Sequence, residues 1–399
     1  MNTLRRGTLL GTSVSNTVGK ETRQIGEQSP FISPLKTAAR RRRRSQAIWP
    51  ATVETRWTTQ STAVDIQGGR AAFPNMPRLF LVLATLCLFR LAARGAEFQV
   101  VHGWPQLPEG DIIGQVAGIG CDSRGDVWVF HRGSRVWIAD PSKAGPIAEA
   151  AVYCFEGKSG KLRTKWGANT FLLPHGLFVD QRDHVWLTDV GRHQIFEYDR
   201  DGTLLRAWGV NGVGGNDQGH FNKPTDVAVL PDGTFYVSDG YVNSRVVKFS
   251  ADGKFLFQWG TRGNGPGEFI VPHGITVDAT GKVYVADRQN DRVQVFTAAG
   301  EFLTQWKRPA MGRPYGVRIG KDGMLYVADG GEQPKSPPNR SGLAVLNLEG
   351  KVVATFGRWG NHDGQFMMAH DIALSRDGDI YVGDINGQRV QKLRWSNAR

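Results

Sequence analysis

Cysteine is scarce in this chain, with three in 399 residues, and only Cys121 and Cys154 lie beyond residue 97. Two cysteines can pair in an exported protein, but they make no disulfide framework. A region of about 300 residues buries enough core to fold without one. Long apolar runs are equally scarce. The run Leu79-Phe-Leu-Val-Leu-Ala-Thr-Leu-Cys-Leu-Phe89 is well short of the roughly 20 apolar residues that a membrane span needs. There is no glycine-rich phosphate loop and no reactive-cysteine motif, so a nucleotide or redox role has nothing to rest on. Basic charge is also missing where a nucleic-acid face would need it. Residues 1–75 hold 12 Lys and Arg against 4 Asp and Glu, and residues 76–96 add three Arg. The formal +12 therefore lies almost wholly ahead of residue 97, and residues 97–399 carry about +1. The run Arg40 to Arg44 reads as a solvated or untranslated stretch, and no nucleic-acid partner is expected.

The front of the chain has its own logic. Met76-Pro-Arg78 leads into the apolar run and then into Ala92-Ala-Arg-Gly-Ala96, a basic start, an apolar middle and small residues in the order of a secretory signal. Residues 1–75 are expected to be a disordered or mis-called extension, with Met76 the true start. Residues 76–96 are a signal peptide or, if uncleaved, an N-terminal anchor. The protein is then exported, to the periplasm or the medium, and otherwise has no stable membrane domain.

What is abundant is a repeat. Pro224-Thr-Asp-Val-Ala-Val followed by Gly233-Thr-Phe-Tyr-Val-Ser-Asp239 returns as Pro272-His-Gly-Ile-Thr-Val-Asp278 followed by Gly281-Lys-Val-Tyr-Val-Ala-Asp287. Each copy continues through a third β-branched run to Phe255-Leu-Phe-Gln-Trp-Gly or Phe302-Leu-Thr-Gln-Trp. Further copies begin near Val116, Leu173, Arg313 and Met368. Four short alternating runs per unit, punctuated by Asp-Gly and Gly turns, repeated six times, predict an all-β six-bladed propeller over residues 97–399. The sixth copy stops at Arg399 without a fourth strand. Phe98-Gln-Val-Val-His-Gly-Trp104 resembles the missing run and is expected to close the ring, removing an open sheet edge.

The repeat also aligns chemistry. The residue after the repeat's leading Pro is Ala117, His175, Thr225, His273, Tyr315 and His370 in the six copies. Alternate blades of a ring would bring three imidazoles around the axis, where neutral nitrogens suit Zn(II) with an open fourth position. Other divalent ions fit the same set. A second register, at the far end of the second strand, holds Arg132 in blade one and Arg288 in blade four, which face each other across the ring. Two guanidinium groups there favour a small-molecule or peptide substrate with a carboxylate. Tyr241, in Asp239-Gly-Tyr-Val-Asn-Ser-Arg245, is placed to act as a base.

Leu173-Pro-His-Gly-Leu177, Asp239-Gly-Tyr-Val-Asn-Ser-Arg245, Val271-Pro-His-Gly-Ile275, Ala286-Asp-Arg288 and Met368-Ala-His-Asp371 resemble, in order, signature segments of the peptidyl-α-hydroxyglycine α-amidating lyase family, a six-bladed propeller of the NHL-repeat type. The likeness runs over residues 98–395. It implies zinc on His175, His273 and His370, with Tyr241 as base, Arg132 and Arg288 around the substrate, and Met368 lining the site. It further implies a structural Ca(II) in the channel, held by the main-chain oxygens of Val116 and Leu177 and the carboxylate of Asp371, although Asp371 can also be read as a capping residue. The implied reaction cleaves a peptidyl-α-hydroxyglycine, or a related N-acyl carbinolamide, to an amide and glyoxylate. A monomer is expected.

Departures from the family pattern are specific. Asn222, Val242, Tyr284 and Val295 stand where the resemblance places two disulfides of animal members, and the third histidine motif reads Met-Ala-His. Residues 1–96 are too short and too poor in His for the copper monooxygenase that supplies the substrate in animals. Two other readings stay open: a non-catalytic NHL propeller that binds a protein or glycan on its rim, and a calcium-dependent six-bladed lactonase or esterase. The latter needs several Asp, Glu or Asn at the axis, where this register offers mainly His.

Overall fold

The computed structural model describes residues 98–331 and 340–395. The readings of residues 1–75 and 76–96, including the basic run and the signal-like segment, lie outside the described residues. Within them the chain forms six four-stranded antiparallel sheets in sequence order, and the only helices are two 3-10 turns. The innermost strands are Val116–Cys121, Pro174–Val179, Pro224–Val229, Pro272–Val277, Pro314–Ile319 and Ala369–Leu374. Strands enclosed on both faces read as near-continuous buried runs, whereas the outermost strand of most blades alternates between half-buried and exposed positions. Leu162–Trp166, Phe255–Trp259 and Val352–Phe356 all do so. That switch is the one expected when a sheet passes from core to solvent.

Ring closure is as the sequence predicts. Phe98–Val101 pairs antiparallel with Arg389–Trp395 and supplies the fourth strand of blade six. A recurrent contact shows the equivalence. The Trp that ends an outer strand packs on the positive-φ turn glycine of the next blade, so a Cβ at Gly202, Gly253 or Gly300 would lie 2.7, 2.7 or 2.8 Å from the rings of Trp166, Trp208 and Trp259. Trp104 makes the same contact with Gly160 of blade one at 2.8 Å. Glycine is needed there twice over, for its positive φ and for the space.

A second repeated device fixes the loop ahead of each innermost strand. Asp189, Asp239, Asp287, Asp329 and Asp384 end the second strands, opposite the first residue of the innermost strand. Their buried carboxylates accept the N–H groups of Leu172 and Leu173, Asn222, Ile270, Arg313, and Met367 and Met368. Blade one has His131 in this place, paired with Val116. Its Nδ1 accepts from Gly114 and Gly133 at 3.3 and 3.1 Å. Burial pushes the His131 pKa down to about 4, so the ring stays a neutral acceptor. Cys121 and Cys154 are unpaired.

Candidate active site and metal centre

The three histidines predicted to converge do so. His175, His273 and His370 are almost fully buried, their ring centroids lie 4.7 to 4.9 Å apart, and one ligand nitrogen from each falls within 4.8 Å of the others. Each Nδ1 faces a main-chain oxygen of the same register on the next blade. His175 meets Thr225 at 2.6 Å, His273 meets Tyr315 at 3.2 Å and His370 meets Ala117 at 2.8 Å. A carbonyl only accepts, so each Nδ1 carries the proton and each Nε2 is left as a lone-pair donor. Burial is the main force lowering all three pKa values, helped for His175 by His370 and Arg132 and for His273 by His175 and Arg288; His370 falls to about 3. Neutral imidazoles with oriented Nε2 lone pairs are what Zn(II) requires, and the set fits that ion.

Above this triad lies a cavity of about 370 Å³ lined by Gln115, Arg132, Trp137, Tyr241, Arg288, Tyr315, Met368, His370, Ile385 and Asn386. It brings together every residue expected to act on substrate. The Tyr241 hydroxyl lies 3.0 Å from Nε2 of His175 and 3.4 Å from Nε2 of His273. Nη1 of Arg288 donates to that hydroxyl at 3.3 Å, and its guanidinium lies over the rings of Tyr241 and Tyr315. Arg132 is 1% exposed. Its Nε donates to the Pro174 oxygen and its Nη1 to Oε1 of Gln115 at 2.8 Å, while Nη2 has no partner among the described residues. Burial lowers the Arg132 pKa to about 10, which still leaves it charged at neutral pH. Among the described residues neither Arg132 nor Arg288 forms an ion pair with an aspartate.

Five lining residues, Gln115, Trp137, Tyr315, Ile385 and Asn386, were given no role by the sequence. Gln115 Oε1 accepts from both Arg132 and the Trp137 backbone N–H. Trp137 stacks within 4.9 Å of the Tyr241 ring and under the Arg132 guanidinium. Tyr315 packs on His273 and His370. Gln115 stands in the column of Met368, just ahead of the innermost strand, and that shared register was the signal that could have found it; Trp137 sits in the long loop between the second and third strands of blade one, which the other blades do not repeat. Two other clusters of ligand-type residues, Asp122 with Asp126 and Cys154, and Asp180 with His184 and Glu197, are instead bound up with Arg200, Arg163, Arg182 and Arg206.

The expected calcium ligands do not fare as the zinc ligands do. Val116 and Leu177 are fully buried and Asp371 nearly so, but the Leu177 oxygen accepts from Nη2 of Arg318 at 3.0 Å, and the same nitrogen lies 3.4 Å from Oδ2 of Asp371. Nη1 of Arg318 pairs with Oδ2 of Asp226 at 2.8 Å. Burial, with Asp226 nearby, raises the Asp371 pKa to about 7, against the pull of Arg318. Two of the three expected ligand groups thus already serve a buried cation, and the arrangement does not fit an added Ca(II).

A six-bladed propeller with a three-histidine centre under a cleft of one Tyr and two Arg defines the class of protein. Comparison with known proteins places it more narrowly. A family model described as a 6-bladed beta-propeller matches residues 216–335. The chain is 36% identical over 304 residues to peptidyl-glycine alpha-amidating monooxygenase B of Xenopus laevis, covering 72% of this chain and 34% of that protein. It is 31% identical over 301 residues to the probable peptidyl-alpha-hydroxyglycine alpha-amidating lyase of Caenorhabditis elegans, covering 71% and 83%, and 31% identical over 318 residues to lyase 2 of Drosophila melanogaster, covering 74% of each. Among solved structures, the gluconolactonase of Xanthomonas campestris aligns with a TM-score of 0.52 at 15% identity, over 77% of this chain and 92% of that one; at that distance only the fold is shared. The chain belongs to the peptidyl-α-hydroxyglycine α-amidating lyase family and is a lyase-like enzyme. It spans about a third of the length of the monooxygenase-named relatives it matches.

Proposed function

We propose that this protein is a zinc-dependent lyase that cleaves a peptidyl-α-hydroxyglycine, or a related N-acyl carbinolamide, into an amide and glyoxylate. The observation that carries the reading is the convergence of three Nε2 atoms, the Tyr241 hydroxyl and two arginines on one cleft. His175, His273 and His370 would hold the ion, which supplies Lewis acidity toward a substrate oxygen. The carboxylate of the substrate meets Arg288 or the unpartnered Nη2 of Arg132, either of which can give a charge-assisted hydrogen bond. Tyr241 takes the proton from the carbinol hydroxyl as its O–H electrons form the aldehyde C=O. The C–N bond breaks with its electron pair going to nitrogen, and that nitrogen gains a proton to complete the primary amide. Arg288, donating to the Tyr241 oxygen at 3.3 Å, holds that oxygen in place beside the histidines. Trp137 and Met368 line the cleft beside these groups and contribute apolar surface for the substrate chain. Export through a signal starting at Met76, and a monomeric state, complete the proposal.

Mass spectrometry of a peptide ending in α-hydroxyglycine, incubated with the zinc-loaded chain, tests it. Appearance of the shortened peptide amide well above the spontaneous rate supports the reading. A half-life equal to that without protein, in the presence of folded, metal-loaded chain, contradicts it.

A further inference from the structure

The channel below the histidines contains a second, independent design. At the register two residues after the repeat's leading position, four blades carry glycine: Gly118, Gly176, Gly274 and Gly316. The other two carry Asp226 and Asp371, in blades three and six, which stand opposite each other across the ring. The glycines are enforced by the tightness of the channel. A Cβ at Gly176 or Gly274 would lie 2.5 Å from the carbonyl oxygen of the neighbouring innermost strand. Two residues further on, the blades read Gly120, Phe178, Ala228, Thr276, Arg318 and Ala373. One basic side chain, Arg318, thus faces two carboxylates beside a ring of four glycines.

The guanidinium of Arg318 uses that position fully. Its Nη1 donates to Oδ2 of Asp226 at 2.8 Å and to the Val317 oxygen at 2.9 Å, with the Ile275 oxygen at 3.4 Å. Its Nη2 donates to the Leu177 oxygen at 3.0 Å and reaches Asp371 at 3.4 Å. Asp371 Oδ2 in turn accepts from the Ile119 N–H at 3.1 Å, and Asp226 Oδ2 accepts from the Ile275 N–H at 3.1 Å. These contacts reach blades two to six directly and blade one through Asp371. Arginine suits the task because its planar fork satisfies several oxygens at once while keeping its charge.

We infer that Arg318 is the structural cation of this channel, holding the six blades together in the place where the resemblance puts calcium, and that the folded chain neither needs nor binds calcium there. A divalent ion on the Leu177 oxygen and the Asp371 carboxylate would sit within contact range of a permanently charged guanidinium already bonded to both, and the two cations would repel at short range inside the buried channel. Oδ1 of Asp371 has no partner among the described residues; the adjoining space of about 10 Å³ takes a single water, which such an oxygen can accept from. The inference does not depend on the lyase reading.

Equilibrium dialysis of the zinc-loaded chain against radioactive calcium at up to about 1 mM, the weak end of the range for protein calcium sites, is the first test, with thermal melting in the same buffers. The expected result is less than about 0.1 calcium bound per chain and a melting temperature unmoved by calcium. Arg318→Ala should melt lower by roughly 5 °C or more, as expected for loss of a buried ionic hub. It should also gain calcium binding, since the freed oxygens of Leu177, Asp226 and Asp371 form an oxygen-rich site, and calcium should restore part of its melting temperature. One calcium per wild-type chain overturns the inference whatever the variant does, and so does an Arg318→Ala variant that melts like wild type without calcium.

Discussion

His370 in the last blade donates from Nδ1 to the main-chain oxygen of Ala117 in the first, at 2.8 Å. The same bond joins His175 to Thr225 and His273 to Tyr315. Every histidine of the centre is therefore oriented by the blade that follows it, and the metal site and the ring depend on the same six innermost strands. A ligand set supported this way is preorganised: rings are locked by main chain and not by mobile side chains.

Tyr241→Phe removes the only atom in the cleft proposed to take the substrate proton. Turnover should fall by roughly 10²- to 10⁴-fold with zinc content unchanged, because Tyr241 is not counted among the ligands. Steady-state kinetics with metal analysis checks this, and a variant retaining full turnover excludes Tyr241 as the base.

Arg288→Met should weaken productive binding of carboxylate-bearing substrates. Loss of a charge-assisted hydrogen bond costs about 1.5–3 kcal/mol, or roughly 10- to 100-fold in kcat/KM. A substrate whose carboxylate is esterified should lose far less between wild type and variant. Equal losses on acid and ester would show that Arg288 acts through Tyr241 and not on the substrate.

The zinc-free protein should lose stability in acid, and His131 gives the sign. Its folded pKa is about 4, below the unfolded value near 6.5. Above pH 6.5 both states are neutral and the group contributes nothing to the pH dependence. As pH falls through 6.5 the unfolded chain binds a proton that the folded ring refuses, so stability drops, levelling off near pH 4 after a loss of about 3 kcal/mol. The three channel imidazoles, also held neutral by burial, act in the same direction. Urea midpoints of chelator-treated protein measured from about pH 7.5 down to about pH 4.5 test this; a flat profile contradicts it.

Phe98→Ala attacks the closing strand. Phe98 is 9% exposed, pairs with Trp395 and stacks on it at 5.4 Å, with Phe356 at 5.2 Å on another side. Truncation should cost about 3 kcal/mol and lower the denaturant midpoint accordingly. An unchanged midpoint would mean that this strand does not hold the ring shut.

Much of this architecture was legible before any coordinates, because a propeller writes the same strand pattern six times and so aligns its own axis. The histidine register, the facing pair Arg132 and Arg288, and the closing strand at Phe98 all follow from that alignment. Arg318 was visible as the one charged residue in its column, but its meaning was not. Its partners Asp226 and Asp371 lie 92 and 53 residues away, and only the width of the channel decides that they share a cation. Trp137 was hidden for the opposite reason, being in a loop that repeats nowhere, while Gln115 shares the column of Met368 and its role was not drawn from it. His131 also broke a column, standing where the other five blades have Asp, and that substitution carried a readable electrostatic consequence.

On the proposed function, His175, His273 and His370 hold the ion on which lyase turnover depends. The most direct test is glyoxylate release from an N-acyl α-hydroxyglycine as zinc is titrated into metal-free protein, alongside His273→Ala. Turnover should rise in proportion to bound zinc up to one ion per chain, with the variant inactive and its zinc affinity lower by more than the roughly 100-fold typical of losing a hydrogen-bond partner of a metal ligand. Turnover that is independent of zinc, or retained in full by His273→Ala, would contradict it.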